Sequence, residues 1–466
     1  MCNKYLILWA LCLIGCAGPH QEVYDVALIN GRVINLETGA LEPKDVYIKA
    51  NRIAKVNDRD QAGAAHAKET VDLNGKYILP GFWDNHVHFR GGDSLIGENK
   101  EFLNLFLANG ITSVRDAGGD LTPAVLQWKD EIENKQLQGP TIFTSGPKLD
   151  GKNPTWAGSL EIETPADIPK ALDSLQAIPT DFVKLYESTL TGENYLHIIR
   201  ATEQRGLITS GHMPFTVTLA ETVEAGIDGI EHLYYVMKGC AANEAEITAK
   251  MKAKELGFWE AMPLLLSAYD DSVAQSTFKR LKDHRVFVVP TLHIGETLSY
   301  LDEVDHTHDP YLNYMGPGIR KTYQGRINGA MRASQEQRRD RKQLQRFFGQ
   351  LAKSLHSAEV ALMAGSDSGA YNSYTYPGIS LHKELEAMVT AGIPPLDALR
   401  TSAPNGALFL EKDADYGYVK ENKIADLVIL NGNPLERITE TKNIHMVVKE
   451  GVVHNKMKLD AQLKSH

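Results

Sequence analysis

From Asp25 to Asp72 the chain runs in short apolar stretches, Val26-Ala27-Leu28-Ile29, Arg32-Val33-Ile34 and Val46-Tyr47-Ile48, punctuated by Asn30-Gly31, Thr38-Gly39 and Ala50-Asn51. Short β-type runs separated by Gly and Asn pairs predict strands joined by tight turns. The same texture returns in Ala425 to Leu430, Met446-Val447-Val448 and Gly451-Val452-Val453, with Asn431-Gly432 as a turn. The two ends therefore predict one small β-sandwich domain, built from residues 22–77 and 411–460.

Between them the pattern changes. Near-continuous apolar runs recur at intervals that leave room for a helix: Ile78 to Trp83, Ile111 to Val114, Thr141 to Thr144, Phe182 to Tyr186, Leu207 to Thr209, Gly229 to His232, Val286 to Leu292 and Leu362 to Ala364. Unbroken apolar strands are those buried on both faces, as in parallel sheets. Helical stretches such as Lys100 to Ala108 and Leu381 to Thr390 lie between them. Eight such units predict an α/β fold, a (β/α)8 TIM barrel over residues 78–410. The connection from Leu292 to Leu362 is longer than one crossover needs, and residues 293–345 are expected to cover the barrel mouth.

Composition narrows the class. The 466 residues are 43% hydrophobic and 23% charged, as in a folded globular protein, and the net charge of -10 gives no footprint for nucleic acid. The most basic run, Arg338 to Lys342, is interrupted by Asp340 and precedes Phe347, Phe348, Leu351 and Leu355, so it reads as a solvated helix face. At the N-terminus, Tyr5 to Gly15 is apolar but too short to span a bilayer and reads as a signal peptide. Its end, Leu13-Ile14-Gly15-Cys16, resembles the lipobox of bacterial lipoproteins, which implies cleavage within residues 1–16 and lipidation of Cys16. The expectation is an exported protein, anchored in the bacterial envelope only through its lipid. Cys2 and Cys12 would leave with the signal, and Cys240 would be the remaining candidate thiol, so no disulfide framework is expected.

The 16 histidines are the residues to follow. His86 and His88 stand two apart after the first barrel run and would share one strand face, which suits two ligands of one metal. By itself the pair is a weak signal, because His306-Thr307-His308 repeats it in a polar stretch. Lys184 lies inside an apolar strand, where an unpaired ammonium is costly; His212, His232 and Asp367 each close a further run. Each alone is ambiguous. Together they occupy the carboxyl ends of candidate strands, where barrel active sites are built.

These residues, with Pro80-Gly81-Phe82-Trp83-Asp84-Asn85 before the histidine pair and Gly365-Ser366-Asp367-Ser368, resemble the amidohydrolase superfamily over nearly the whole chain. The likeness is strongest to the imidazolonepropionase-related branch with its metal-dependent Xaa-Pro dipeptidases and carboxypeptidase-like enzymes. It implies two divalent ions, zinc by preference, with His86, His88 and Asp367 on one and His212 and His232 on the other. Lys184 would bridge them as a carbamate formed from CO₂, and Asp367 would serve as general base and then acid.

Candidate substrate contacts are Tyr186, Tyr234, Arg115 and His293, any of which could hold a substrate carboxylate; Glu231 is expected to face away from the site, where it would support a ligand from behind or pack against a helix. The function implied is hydrolysis of amide or peptide bonds by a dipeptidase, carboxypeptidase or N-acyl amino acid hydrolase acting on small molecules or short peptides. Alternatives are a cyclic amide, imidazolone or lactone hydrolase on the same site, or a non-catalytic surface lipoprotein. A homo-oligomer is left open.

Overall fold

The computed structural model describes residues 23–59, 66–464 and 466, so the expected leader and Cys16 lie outside the described residues. Among the described residues no helix is long and apolar enough to cross a membrane.

Both ends of the chain do meet in one sheet. Its N-terminal strands are β1 (Val23–Ile34), β2 (Leu41–Lys49), β3 (Arg52–Asp58), β4 (His66–Asp72) and β5 (Tyr77–Pro80). The parallel strands of the middle follow: β6 (Phe82–Val87), β7 (Ile111–Asp116), β8 (Thr141–Thr144), β9 (Leu149–Asp150), β10 (Leu160–Glu161), β11 (Val183–Leu185), β12 (Thr209–Gly211), β13 (Gly229–Glu231) and β14 (Phe287–Val289). The C-terminal strands are β15 (Leu427–Leu430), β16 (Ile444–Lys449) and β17 (Val452–Asn455).

The end strands form an eight-stranded sheet in the order β17-β16-β15-β5-β1-β2-β3, with β4 also on β1. These strands are connected in one sheet. Asn30-Gly31 is a bulge and not a turn: the register shifts between Leu28 and Gly31 inside a single long strand, with Asn30 at φ 58°. β4 pairs the first part of β1 and β5 the second. The run Ile78 to Trp83 is likewise divided, since β5 pairs β1 and β15 while β6 pairs β7.

The middle strands form the parallel sheets β6-β7-β8 and β10-β9-β11-β12-β13-β14. Leu362 to Ala364, the expected eighth strand, lies in segment 361–368, which forms bridges instead of a regular ladder and joins the two sheets. Met363 N–H donates to the Val288 carbonyl, and Asn85 N–H to that of Ala364. Asp367 N–H donates to His86, and on the far side Asp181 N–H donates to Thr144. Gly365 makes this joint possible, because a Cβ there would lie 2.6 Å from the His86 Cβ. Below the site, Trp83, Phe143, Phe182, Phe287 and Phe409 form a buried apolar floor.

The long connection is helical, with helices Leu292–Ser299, Pro317–Arg332 and Gln335–Ser357. Lys342 of the last bonds Asp302 at 2.8 Å and also pairs with Glu303, so part of the basic run braces this segment.

Candidate metal centre

His86 stands near the end of β6 and His88 just beyond it, with their Nε2 atoms 3.2 Å apart. Asp367 Oδ1 lies 3.2 Å from His88 Nε2 and 3.7 Å from His86 Nε2, and its Oδ2 lies 3.9 Å from His232 Nε2. One ligand atom from each of His86, His232 and Asp367 falls within 4.8 Å of the others. The His212 ring packs against that of His232 at 4.8 Å, and Lys184 sits in β11. All six residues expected to bind metal are thus drawn to one end of the parallel strands.

Backbone strain helps to gather them. His232 at φ 68°, Thr291 at 49° and Asp367 at 53° occupy left-handed conformations unusual for such residues, where strands end at the site. At His232 the turn breaks the alternation of strand faces. Glu231 and His232 both reach the interior, which corrects the expectation that Glu231 faces away.

Each histidine is gripped on its Nδ1 side. His86 Nδ1 meets Glu231 Oε2 at 2.6 Å, His88 Nδ1 donates to the Gly118 carbonyl at 2.8 Å, and His232 Nδ1 meets Thr291 Oγ1 at 2.7 Å. His212 Nδ1 lies 2.7 Å from Glu187 Oε2, close but poorly aligned for a hydrogen bond, and Tyr235 OH donates to the other oxygen of Glu187 at 2.7 Å. A proton held on Nδ1 leaves the Nε2 lone pair free, the arrangement by which proteins orient metal-binding imidazoles. Burial lowers the pKa of all four, which keeps them neutral and able to coordinate.

Glu231 is the hub of the buried layer behind them. It takes a forked bond from Arg115 Nη2 at 2.8 and 3.1 Å and one from Ser210 Oγ at 2.8 Å, besides His86. Arg115 also donates to the Asn85 carbonyl at 2.6 Å and lies about 5 Å from the ring centres of Phe182 and Phe409. Burial opposes ionisation of Glu231, but Arg115, Lys184 and His86 outweigh it and hold the carboxyl well below its usual range. Lys184 is 1% exposed, its nearest acid is Glu231 at 3.4 Å, and its Nζ has no hydrogen bond among the described residues; burial pushes it down to about 8.

A cavity of about 170 Å³ opens onto the cluster. His88, Arg90, Trp156, Tyr186, Asp367 and Asn372 line it on the polar side; Tyr234, Phe258, Trp259, Ile294, Leu298 and Phe348 supply apolar wall. The Tyr186 ring lies tilted against that of His212 at 4.4 Å between centres, and Tyr234 meets Phe348 edge-on at 5.0 Å, so both tyrosines singled out from sequence are at the cavity. Residues 293–345 contribute Ile294, Gly295, Leu298, Arg326 and Gln345 to the cavity wall. Arg115 and His293 do not line it. Arg115 is fully buried against Glu231, and the His293 N–H is turned to Glu384 at 2.7 Å.

Sequence reasoning missed Glu187, Thr291, Arg90, Trp156 and Asn372. Arg90 carried a signal, since it continues the two-residue spacing of His86 and His88. Asn372 donates to Asp367 Oδ1 at 2.8 Å, a contact from a loop with no periodicity to reveal it.

The amidohydrolase family profile matches residues 77–453. The chain belongs to the amidohydrolase family. Within 94 residues it is 33% identical to the adenine deaminase of Listeria welshimeri, a match that covers 20% of this chain and only 15% of that protein. Similar solved structures cover far more. A Xaa-Pro dipeptidase with methionine in its active site is 17% identical, with a TM-score of 0.68 over 92% of this chain and 99% of that one. A bottromycin amidohydrolase is 20% identical, at 0.69 over 93% and 88%, and Aspergillus niger ochratoxinase is 16% identical, at 0.66 over 93% and 96%. At these identities the likeness is one of fold.

The donor set of this amidohydrolase fits divalent cations. Four neutral imidazoles, three of them hydrogen-bonded at Nδ1 and the fourth beside Glu187, converge with a carboxylate and an amine that has no hydrogen-bond partner among the described residues, and imidazole with carboxylate suits zinc.

Proposed function

We propose that the protein is a metal-dependent hydrolase of amide or peptide bonds that acts on dipeptides, peptide C-termini or N-acyl amino acids at the mouth of a (β/α)8 barrel. The observation that carries this reading is the convergence of His86, His88, His212 and His232 on Asp367, with their Nδ1 sides engaged. Membership of the amidohydrolase family and the fold shared with a Xaa-Pro dipeptidase support it.

His86, His88 and Asp367 would hold one ion, His212 and His232 the other, and Lys184 both. The depressed pKa of Lys184 favours the free amine, which adds to CO₂ with loss of one proton to give a carbamate, turning a buried cation into an anion with two donor oxygens. Bound divalent ions would activate water and polarise the scissile carbonyl. Asp367, steadied by Asn372, takes the proton of the attacking water on its carboxylate and delivers it to the departing amine. The apolar wall of Tyr234, Phe258 and Phe348 limits water around the bond being cut.

The test is to purify the chain without residues 1–16, measure bound metal, and screen dipeptides, N-acyl amino acids, cyclic amides and lactones. About two ions per chain and turnover of linear amides, abolished in Lys184→Ala, are expected. Turnover of cyclic compounds alone would move the substrate and keep the site; a chain that binds no metal would sink the reading. We propose also that the protein is exported and lipid-anchored through Cys16, on the strength of Leu13-Ile14-Gly15-Cys16. Retention of full-length protein in the membrane fraction, with release of Cys16→Ser, is the expected result.

A further inference from the structure

We infer that Arg90 is the anion-binding residue of the cavity and that the substrate presents a carboxylate to it. This rests on the hydrolase reading for the nature of the substrate, but the subsite itself rests on charge. Arg90 is only 4% exposed, yet no carboxylate lies within ion-pair distance among the described residues. Its Nε donates to the Ala370 carbonyl at 2.9 Å, its backbone is clasped by Asn99, and its guanidinium lies 4.2 Å over Trp156. Held this way, it forms part of the cavity wall beside His88 and Asp367.

Three other buried cations are matched by acids. Arg115 has Glu231, Lys449 has Asp426 at 3.0 Å, and Lys238 has Glu244 at 3.3 Å with the Val217 carbonyl and Thr248 hydroxyl. Lys148, 2% exposed and without a hydrogen-bond partner among the described residues, lies 5.1 Å from the Trp156 ring and 5.3 Å from that of Tyr186, and burial pushes its pKa well below the usual lysine range, so it does not supply the missing charge. A desolvated charge without a counter-charge is strongly disfavoured, and a cavity-facing one can acquire its counter-charge from a ligand. The planar guanidinium fork matches a carboxylate. Asp367 acts on Arg90 only at longer range and is itself committed to the histidines. The chemistry assigned is therefore an amide with a free carboxylate on the Arg90 side and an apolar group in the aromatic chamber.

The experiment is calorimetric binding of N-acetyl-L-phenylalanine and of its neutral carboxamide to the metal-loaded enzyme, with Arg90→Met and Arg90→Lys alongside and metal content measured for each. The acid should bind about 10- to 100-fold tighter than the amide in the wild type, as expected for a charge-assisted contact. That ratio should fall within about threefold in Arg90→Met and be partly restored in Arg90→Lys, with metal content retained. If Arg90→Met does not fold, the wild-type ratio must shrink as salt rises for the acid and not for the amide. Equal affinities in the wild type, or a preference that survives Arg90→Met, would overturn the inference. Acid preference without turnover of any amide would leave the subsite standing and remove the hydrolase reading. Turnover without acid preference would do the reverse.

Discussion

Arg115 and Arg90 are both almost wholly buried, and both lie near the paired histidines. Arg115 is anchored to Glu231, Ser210 and the Asn85 carbonyl, with aromatic rings around it. Its charge is neutralised inside the chain, and what it gains is rigidity: it fixes the carboxylate that fixes His86. Arg90 is held just as firmly through its Nε and backbone, but its charge is left for the cavity. The difference separates scaffold from binding surface. Two residues of the same type and similar burial do different work because one has its anion built in.

The comparison is broken most sharply by Glu231→Gln, which leaves Arg115 uncompensated in the floor. Loss of one partner of a buried ion pair costs about 3–5 kcal/mol. Denaturant unfolding of the purified variant should show a loss of that order; a loss below about 1 kcal/mol would mean the pair is not structural. On the cavity side, Asp367→Asn should spare the fold and lower kcat by about 10²- to 10⁴-fold, the usual contribution of a general base, read with the best substrate of the panel. Comparable unfolding of this variant would erase the proposed division between scaffold and reacting side.

Glu187→Gln tests a contact intermediate between the two regions. Weakening its grip on His212 should cost about 10- to 100-fold in metal affinity, measured by competition with a chelator, with smaller effect on unfolding.

The smallest effect concerns pH. Glu231, beside two cations, stays ionised, whereas burial pushes Glu384 up to about 8 from an ordinary 4.5, helped by the Asp84 and Glu296 charges and opposed by the backbone N–H groups of Leu292 and His293. Between those values the folded chain binds more protons than the unfolded one, so this group's contribution to stability declines as pH rises from about 4.5 to 8 and then levels off. Glu384→Gln should flatten that part of the stability profile; an unchanged slope would show that Glu384 is ionised throughout.

Much of the site was legible in the sequence because strand periodicity is local. His86 and His88 share a face by spacing, and Lys184 betrays itself as a charge inside Phe182-Val183-Lys184-Leu185. Glu231 was misread because alternation presumes extended backbone, and His232 departs from it with φ 68°. The Asn30-Gly31 pair was misread for a related reason: a positive φ serves a bulge as well as a turn, and only the partner strand decides which.

What the sequence by itself determined is the six candidate ligand side chains that the fold gathers, the parallel βα repetition and the pairing of the two ends in one β region, which follow from short-range spacing, apolar pattern and the motifs around the histidine pair. Only the tertiary structure decided which acids hold the imidazoles, that Arg115 is neutralised and Arg90 is not, and that helices from the long connection line the cavity. Those outcomes depend on contacts between residues such as Arg115 and Glu231, or Arg90 and Ala370, far apart along the chain. The charge balance of a buried group is set by whatever the fold brings beside it, and no local pattern records that.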